Sequence, residues 1–97
     1  METELLRRAS TELGAGRADA ALRITGEHGR RFPRSVLADL RTAVRIEALC
    51  GLGKAAQARG EAQVFLRERP ESPVAERIER ACRSPSYEST GLDNTGA

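Results

Sequence analysis

The sequence predicts an all-α fold, and three observations support this prediction. Of the 97 residues, fifteen are Ala and fifteen are Arg; both favour helices, while the β-branched and aromatic residues that favour strands are sparse. Apolar residues recur with helical spacing in five segments, and Gly or Pro residues separate these segments. A chain of this length suits one small domain.

The five predicted helices cover residues 3–13, 18–31, 35–52, 55–69 and 73–83. Thr3, Ser35 and Ser72 are the predicted N-caps, because their hydroxyls can accept hydrogen bonds from the first backbone amides of a helix. Glycines follow the first and third segments, and prolines follow the second and fourth. Residues 84–97 lack apolar periodicity and contain many turn-forming residues, so they are predicted to be a disordered tail.

The third predicted helix has the broadest apolar surface. Ile46 and Leu49 fall outside its main arc, which suggests neighbours on two sides. The main arc is formed by Val36, Leu37, Leu40, Ala43, Val44, Ala48 and Cys50.

Composition and charge argue against several classes of protein. The 16 basic and 14 acidic residues give a formal net charge of +2, and the two signs are interspersed, so we expect no nucleic-acid partner. No segment approaches the roughly 20 apolar residues of a membrane-spanning helix, so we expect no direct insertion into a membrane.

The acidic start at Met1 lacks the features of a signal peptide. The chain as given is therefore expected in the cytoplasm, or in the periplasm or envelope if it is a fragment of a longer protein.

The chain matches itself when it is shifted by 37 residues. The matches are mainly small or chain-breaking residues, which determine where helices end and how closely they approach. The shift pairs Gly14 with Gly51, Gly16 with Gly53, Ala18 with Ala55, Ala21 with Ala58, Pro33 with Pro70, Ser35 with Ser72 and Ala38 with Ala75. The pattern describes a helix–turn–helix unit, its repeat, and the first helix of a third unit.

These residues resemble the tetratricopeptide repeat. The segment 21–33 and the junction 70–73 look like the versions found in bacterial cell-envelope proteins. The family is similar in having a Gly before the turn, a small residue early in the second helix and a Pro after it. Here these are Gly16, Ala21 and Pro33, and then Gly53, Ala58 and Pro70. The 37-residue period departs from the usual period of about 34. His28 and Phe65 stand where the family usually has Ala, and the large aromatic near the start of each unit is absent. A divergent helical hairpin outside the family is the alternative.

The resemblance implies a short right-handed superhelix of two and a half antiparallel helix pairs over residues 1–83. It also implies that the first helix of each unit lines a concave groove. Such a groove would bring Ser10, Glu47, Arg77 and Arg80 together as candidate protein-binding residues.

Glu47 stands out because it falls inside the apolar arc of the third helix, with no Arg three or four residues away. A carboxylate there requires a partner from another helix, and Arg7, Arg8 and Arg80 are the candidates. Glu47 is either one half of a structural ion pair, or lies at the edge of the core, or binds a basic or amide-bearing ligand in the groove.

Both a structural and a functional interpretation are open for Cys50, Cys82 and His28. The cysteines lie on apolar faces near helix ends and are either two buried small residues or a disulfide closing a loop of about 33 residues. His28, the only histidine, is expected to be structural and half-buried. Together with the cysteines it would give only three zinc ligands, with no closely spaced pair, so we expect no metal.

No arrangement of Ser, His or carboxylate residues suggests catalysis, so we expect neither an enzyme nor a cofactor. The leading hypothesis is a module that binds a peptide or a partner domain in its groove. The alternative is a self-associating or stabilising C-terminal domain of a larger, envelope-associated bacterial protein. Two and a half repeats with an Ala-rich core predict low intrinsic stability and a tendency to form homo-oligomers.

Overall fold

A computed structural model of the chain describes residues 1–83, and every regular element in this part is helical, which confirms the predicted all-α fold. The predicted tail, 84–97, lies outside the described residues. The elements are α1 (Glu2–Gly14), α2 (Ala18–Arg31), α3 (Ala38–Gly51), α4 (Ala55–Glu68), α5 (Ala75–Glu79) and the 3₁₀ turn η1 (Ala81–Arg83).

The structure corrects several predicted helix ends, and the N-caps of α3 and α5 are Leu37 and Val74, not Ser35 and Ser72. Helix α1 begins at Glu2 with Met1 as its N-cap, so Thr3 lies within the first turn and is not the cap. Residues 35–37 form a turn that precedes α3, in which the Ser35 hydroxyl accepts the backbone N–H of Leu37 at 2.9 Å. The fifth helix is one short α-helix followed by a 3₁₀ turn, because the N–H of Arg80 is shared between the carbonyls of Glu76 and Arg77 and the last turn tightens.

The turns of the first unit recur 37 residues later with the same backbone geometry. Gly16 and Gly53 both have positive φ, at 85° and 78°, a conformation in which a side chain would be strained. The N–H of Arg17 donates to the carbonyl of Glu12 at 2.8 Å, and that of Lys54 to the carbonyl of Leu49 at 2.9 Å. The 37-residue sequence match therefore corresponds to a repeated local structure.

The junctions between the units repeat in the same way. Ser35 and Ser72 each donate a backbone hydrogen bond three residues back, to Phe32 and Arg69, and both N···O distances are 3.1 Å. The residues before α3 and α5, Leu37 and Val74, have nearly equal φ values of −95° and −97°. The same turn therefore connects α2 to α3 and α4 to α5.

Helix α3 lies at the centre of the described fold. It contacts α1, α2, α4, α5 and η1, which explains why apolar residues surround most of it. The prediction of its core face was wrong in part. Val36 is 92% exposed because it lies in the turn before the helix, whereas Ile46 and Leu49, placed outside the arc, are fully buried.

The core consists of packed clusters that link successive helices. One joins α1 to α2 and α3 through Leu5, Ala9, Ile24 and Val44. Another joins α3 to α4 and α5, and its buried members are Ala43, Ile46, Leu49, Cys50, Ala58, Phe65, Ile78 and Ala81. Within residues 1–83, no helix has the length and apolar character required to cross a bilayer.

Candidate protein-interaction face

A charged pair connects α3 to α5 at the surface. The guanidinium of Arg77 donates two hydrogen bonds to the carboxylate of Glu47, each 2.7 Å long. This is the two-point geometry in which Arg binds a carboxylate most strongly. The Glu47 side chain is 19% exposed and that of Arg77 is 42% exposed, so the pair borders the core and also faces solvent.

The structure pairs Glu47 with Arg77, which was not among the three predicted candidates. Arg7 and Arg8 lie exposed on α1, and Arg80 pairs instead with Glu76 at 2.8 Å, one helical turn away on α5. Arg77 was assigned only to the groove, although it is the residue that bonds to Glu47. The separation of 30 residues gives no local signal for this pair, because it depends on how α5 packs against α3.

Two of the four proposed groove residues are therefore in direct contact. Ser10 is exposed on α1, and Arg80 is exposed on α5 beside Glu76. Ser10 and Glu47 occupy equivalent positions, since they are 37 residues apart. Hydrogen bonding to Glu47 raises the pKa of Arg77 above its ordinary value, and burial of the guanidinium partly opposes this effect.

His28 is fully buried, not half-buried as the sequence analysis expects. Its Nδ1 lies 3.2 Å from Nη1 of Arg41, and the same Nη1 donates to the carbonyl oxygen of Phe32 at 3.1 Å. Because Arg can only donate, Nδ1 is the acceptor and the proton of the neutral ring is on Nε2. Burial first, and Arg41 second, lower the pKa of His28, so the ring is held neutral in the core.

The position that His28 occupies in the first unit is a buried packing position in the second unit as well. A shift of 37 residues carries His28 to Phe65 and Arg41 to Ile78, and both of these are buried in the second unit. A polar pair in one unit and an apolar pair in the next fill the same place between the second helix of a unit and the helix that follows. His28 is therefore part of the packing between α2 and α3.

The structure joins Cys50 and Cys82 in a disulfide, with an S–S distance of 1.91 Å and a Cα–Cα distance of 5.4 Å. The bond connects the last turn of α3 to η1, the end of the described chain. Sulfur atoms bonded to each other are not available as thiolate ligands. Among residues 1–83, no group of three or more His, Cys, Asp or Glu residues is arranged to hold a metal ion.

A polar contact at the junctions was missed by the sequence analysis. Asp39, in the first turn of α3, accepts a hydrogen bond from the Ser72 hydroxyl at 2.8 Å and also pairs with Arg69 at 2.9 Å. In the first unit the Ser35 hydroxyl donates to Glu2 in the same way. Glu2 and Asp39 are 37 residues apart, as are the two serines, so the repeat itself contained the signal.

A second interhelical ion pair joins α3 to α4. Nε and Nη2 of Arg45 donate to the two carboxylate oxygens of Glu61 at 2.8 and 2.9 Å. The hydrogen bonds from Arg45 stabilise the charged carboxylate and lower the pKa of Glu61. Together with the Glu47–Arg77 pair, this ion pair links α3 to both α4 and α5.

No protein-family model, curated protein or solved structure matches this chain.

Proposed function

We propose that this chain is a non-enzymatic helical-repeat module that binds a peptide or a partner domain on the face formed by the first helices of its units, α1, α3 and α5. The tetratricopeptide-like superhelix is part of this proposal. The observation that carries the proposal is the Glu47–Arg77 pair. It places an acceptor on α3 beside a donor on α5, and these are the first helices of neighbouring units.

The chemistry of this pair suits a polypeptide ligand. The pair uses one edge of the Arg77 guanidinium, whose side chain is 42% exposed, and the guanidinium carries further N–H donors. Peptide carbonyl groups can accept hydrogen bonds from these donors. Ser10, at the position of α1 equivalent to Glu47, extends the same polar line to the first unit, and Arg80 extends it on α5.

Affinity capture from an extract of the source organism tests this function. The full chain is compared with the double variant Glu47→Arg/Arg77→Glu, in which the ion pair is kept but its two charges exchange places. We expect a protein that the wild type retains and the exchanged variant loses, although both have the same helical circular dichroism. A partner that binds both chains equally would contradict the assigned face.

A further inference from the structure

The segment formed by α5 and η1, residues 75–83, packs on the second unit through a small buried surface. Helix α5 has only five residues, and a helix of this length is not stable without support from its neighbours. Ile78 of α5 and Ala81 of η1 are buried in the cluster shared with α3 and α4. Helix α3, the equivalent helix of the second unit, has fourteen residues, of which six are buried. Among the described helices, α5 therefore depends on its links to α3 much more than α3 depends on any one link.

Two such links join the α5–η1 segment to α3, and they lie close together on both elements. The Glu47–Arg77 pair is noncovalent, and the Cys50–Cys82 disulfide is covalent. Cys50 follows Glu47 by three residues, about one turn of α3, and Cys82 follows Arg77 by five residues. The bond between the sulfur atoms therefore keeps the Arg77 guanidinium within reach of the Glu47 carboxylate.

The disulfide is an addition to the repeat and not a requirement of it. A shift of 37 residues toward the N-terminus carries Cys50 to Leu13 and Cys82 to Arg45. Helix α3 therefore packs on the first unit without a covalent bond at the equivalent place. The crosslink is specific to the attachment of the short α5–η1 segment.

Cys82 is the more accessible half of the disulfide. It is half-buried, whereas Cys50 is buried. Cys82 also lines a cleft between α4 and the α5–η1 segment, together with Arg59. A thiolate is the nucleophile in thiol–disulfide exchange, and a nearby guanidinium favours the thiolate form. The Sγ atom of Cys82 is therefore the atom that an incoming thiolate attacks.

We propose that the Cys50–Cys82 disulfide is a redox switch that controls the docking of α5 and, through it, the face formed by α1, α3 and α5. The regulation of this face rests on the proposed function, whereas the undocking of α5 does not. In the oxidised chain α5 stays on α3. In the reduced chain the α5–η1 segment leaves α3 and the ion pair between them separates. Helices α1, α2 and α3 stay packed because the clusters that join them contain no residue of α5 or η1, and the Arg45–Glu61 pair still links α4 to α3.

The reductant is a dithiol, and two electrons pass from it to the cysteine pair. One thiolate of the dithiol attacks Sγ of Cys82, the S–S bond breaks, and Cys50 leaves as a thiolate. The second thiolate of the dithiol then attacks the dithiol sulfur of the mixed disulfide and releases Cys82. The two cysteines take up from solvent the two protons that the dithiol gave up, and the dithiol leaves with an internal disulfide.

Comparison of the oxidised chain with the chain in excess reduced dithiothreitol tests the undocking without a partner. A double-mutant cycle of Glu47→Gln and Arg77→Met is measured by urea unfolding in each state, and alkylation followed by intact mass counts the thiols. We expect a coupling of about fivefold in the unfolding equilibrium constant in the oxidised chain and none in the reduced chain. The matched control is the cycle of Arg45→Met and Glu61→Gln, between α3 and α4, whose coupling should be the same in both states.

Binding of the partner captured by the wild type tests the regulation separately. The reduced chain should bind this partner at least about tenfold more weakly than the oxidised chain. A Glu47–Arg77 coupling that survives reduction would overturn the switch. Loss of the Arg45–Glu61 coupling as well would also overturn it, because reduction would then disrupt the second unit as a whole. Equal binding by the two states would overturn the regulation, whereas an oxidised chain that captures no partner would contradict the proposed function and leave the coupling results to decide the switch.

Discussion

At the scale of single residues, His28 shows how the repeat accommodates a polar group inside an apolar core. The ring lies where Phe65 lies in the second unit, and its Nδ1 accepts from Arg41 at 3.2 Å. Its Nε2 is buried without a hydrogen-bond partner among residues 1–83, which is an unfavourable arrangement for a donor. The protonated ring would add a buried positive charge beside Arg41, so the fold favours the neutral form.

This arrangement predicts a pH-dependent stability. Because the folded-state pKa of His28 is lowered, its contribution is complete above the unfolded pKa of about 6.5 and declines as the pH falls toward the folded pKa. We expect the free energy of unfolding to decrease between about pH 7 and pH 5, by at most about 1.4 kcal/mol per pH unit. Urea unfolding at a series of pH values measures this.

Two variants make the pH test specific. His28→Phe, which copies the equivalent residue of the second unit, and His28→Gln should both flatten the dependence in that range. Stability should fall again at lower pH, where Glu61, whose pKa is lowered, becomes protonated. This second loss should remain in both variants. An unchanged slope between pH 5 and 7 in the folded variants would refute the role given to His28.

The Glu47–Arg77 pair leads to a second prediction at the residue scale. Removing either partner, by Glu47→Gln or Arg77→Met, should lower the free energy of unfolding by about 1 kcal/mol, because the pair is two-point but partly exposed to solvent. A double-mutant cycle should give a coupling energy of the same order. The control pair is Glu76–Arg80, which is far more exposed and should show almost no coupling. Equal coupling in the two pairs would contradict the structure.

At the scale of the elements, the helices and turns could be predicted from the sequence and the contacts between them largely could not. Gly16, Gly53, Pro33 and Pro70 mark helix ends because their backbone properties act locally. Whether Val36 or Ile46 is buried depends instead on where α3 starts and on what packs around it. A helical wheel that begins at Ser35 assigns Val36 to the core, and the turn over residues 35–37 removes it.

The candidate site followed the same rule. Glu47 could be identified because a carboxylate within an apolar arc is unusual on its own helix. Its partner Arg77 could not be assigned, since the choice among several arginines depends on the angle between α3 and α5. The 37-residue comparison paired Ser35 with Ser72 but did not include Glu2 and Asp39, the acidic residues that these two serines contact.

The disulfide gives a prediction about one element. It closes a loop between Cys50 and Cys82, which are 32 residues apart, and in the chain-entropy model such a crosslink contributes about 3–4 kcal/mol. Reduction should therefore lower the midpoint of thermal unfolding and should loosen α5 and η1 before the other helices. Amide exchange with and without reductant measures this, and the variant Cys50→Ala/Cys82→Ala should behave like the reduced chain. Faster exchange in α1 and α2 than in α5 would contradict this prediction.

At the scale of the whole molecule, the composition of the core limits stability. In the part of the chain that the structure describes, seven of the sixteen buried apolar residues are Ala, and each buries little area. A domain of about 80 ordered residues has little stability in reserve.

Stability should therefore depend on protein concentration. We expect a thermal midpoint below about 80 °C that rises as the concentration increases from about 5 to about 500 µM, because the homo-oligomers predicted from the sequence would dissociate on unfolding. Differential scanning calorimetry at these concentrations measures the shift. A midpoint above about 80 °C that does not change with concentration would contradict both the marginal core and the pairing.

The proposed binding face is formed by the first helices of the repeat units. Hydrogen–deuterium exchange of the full chain is the decisive measurement, made on the chain alone and on the chain saturated with the partner captured by the wild type. We expect slower exchange along α1, α3 and α5, around the Glu47–Arg77 pair, with α2 and α4 unchanged. Protection confined to α2 and α4, or a chain that captures nothing except copies of itself, would contradict it.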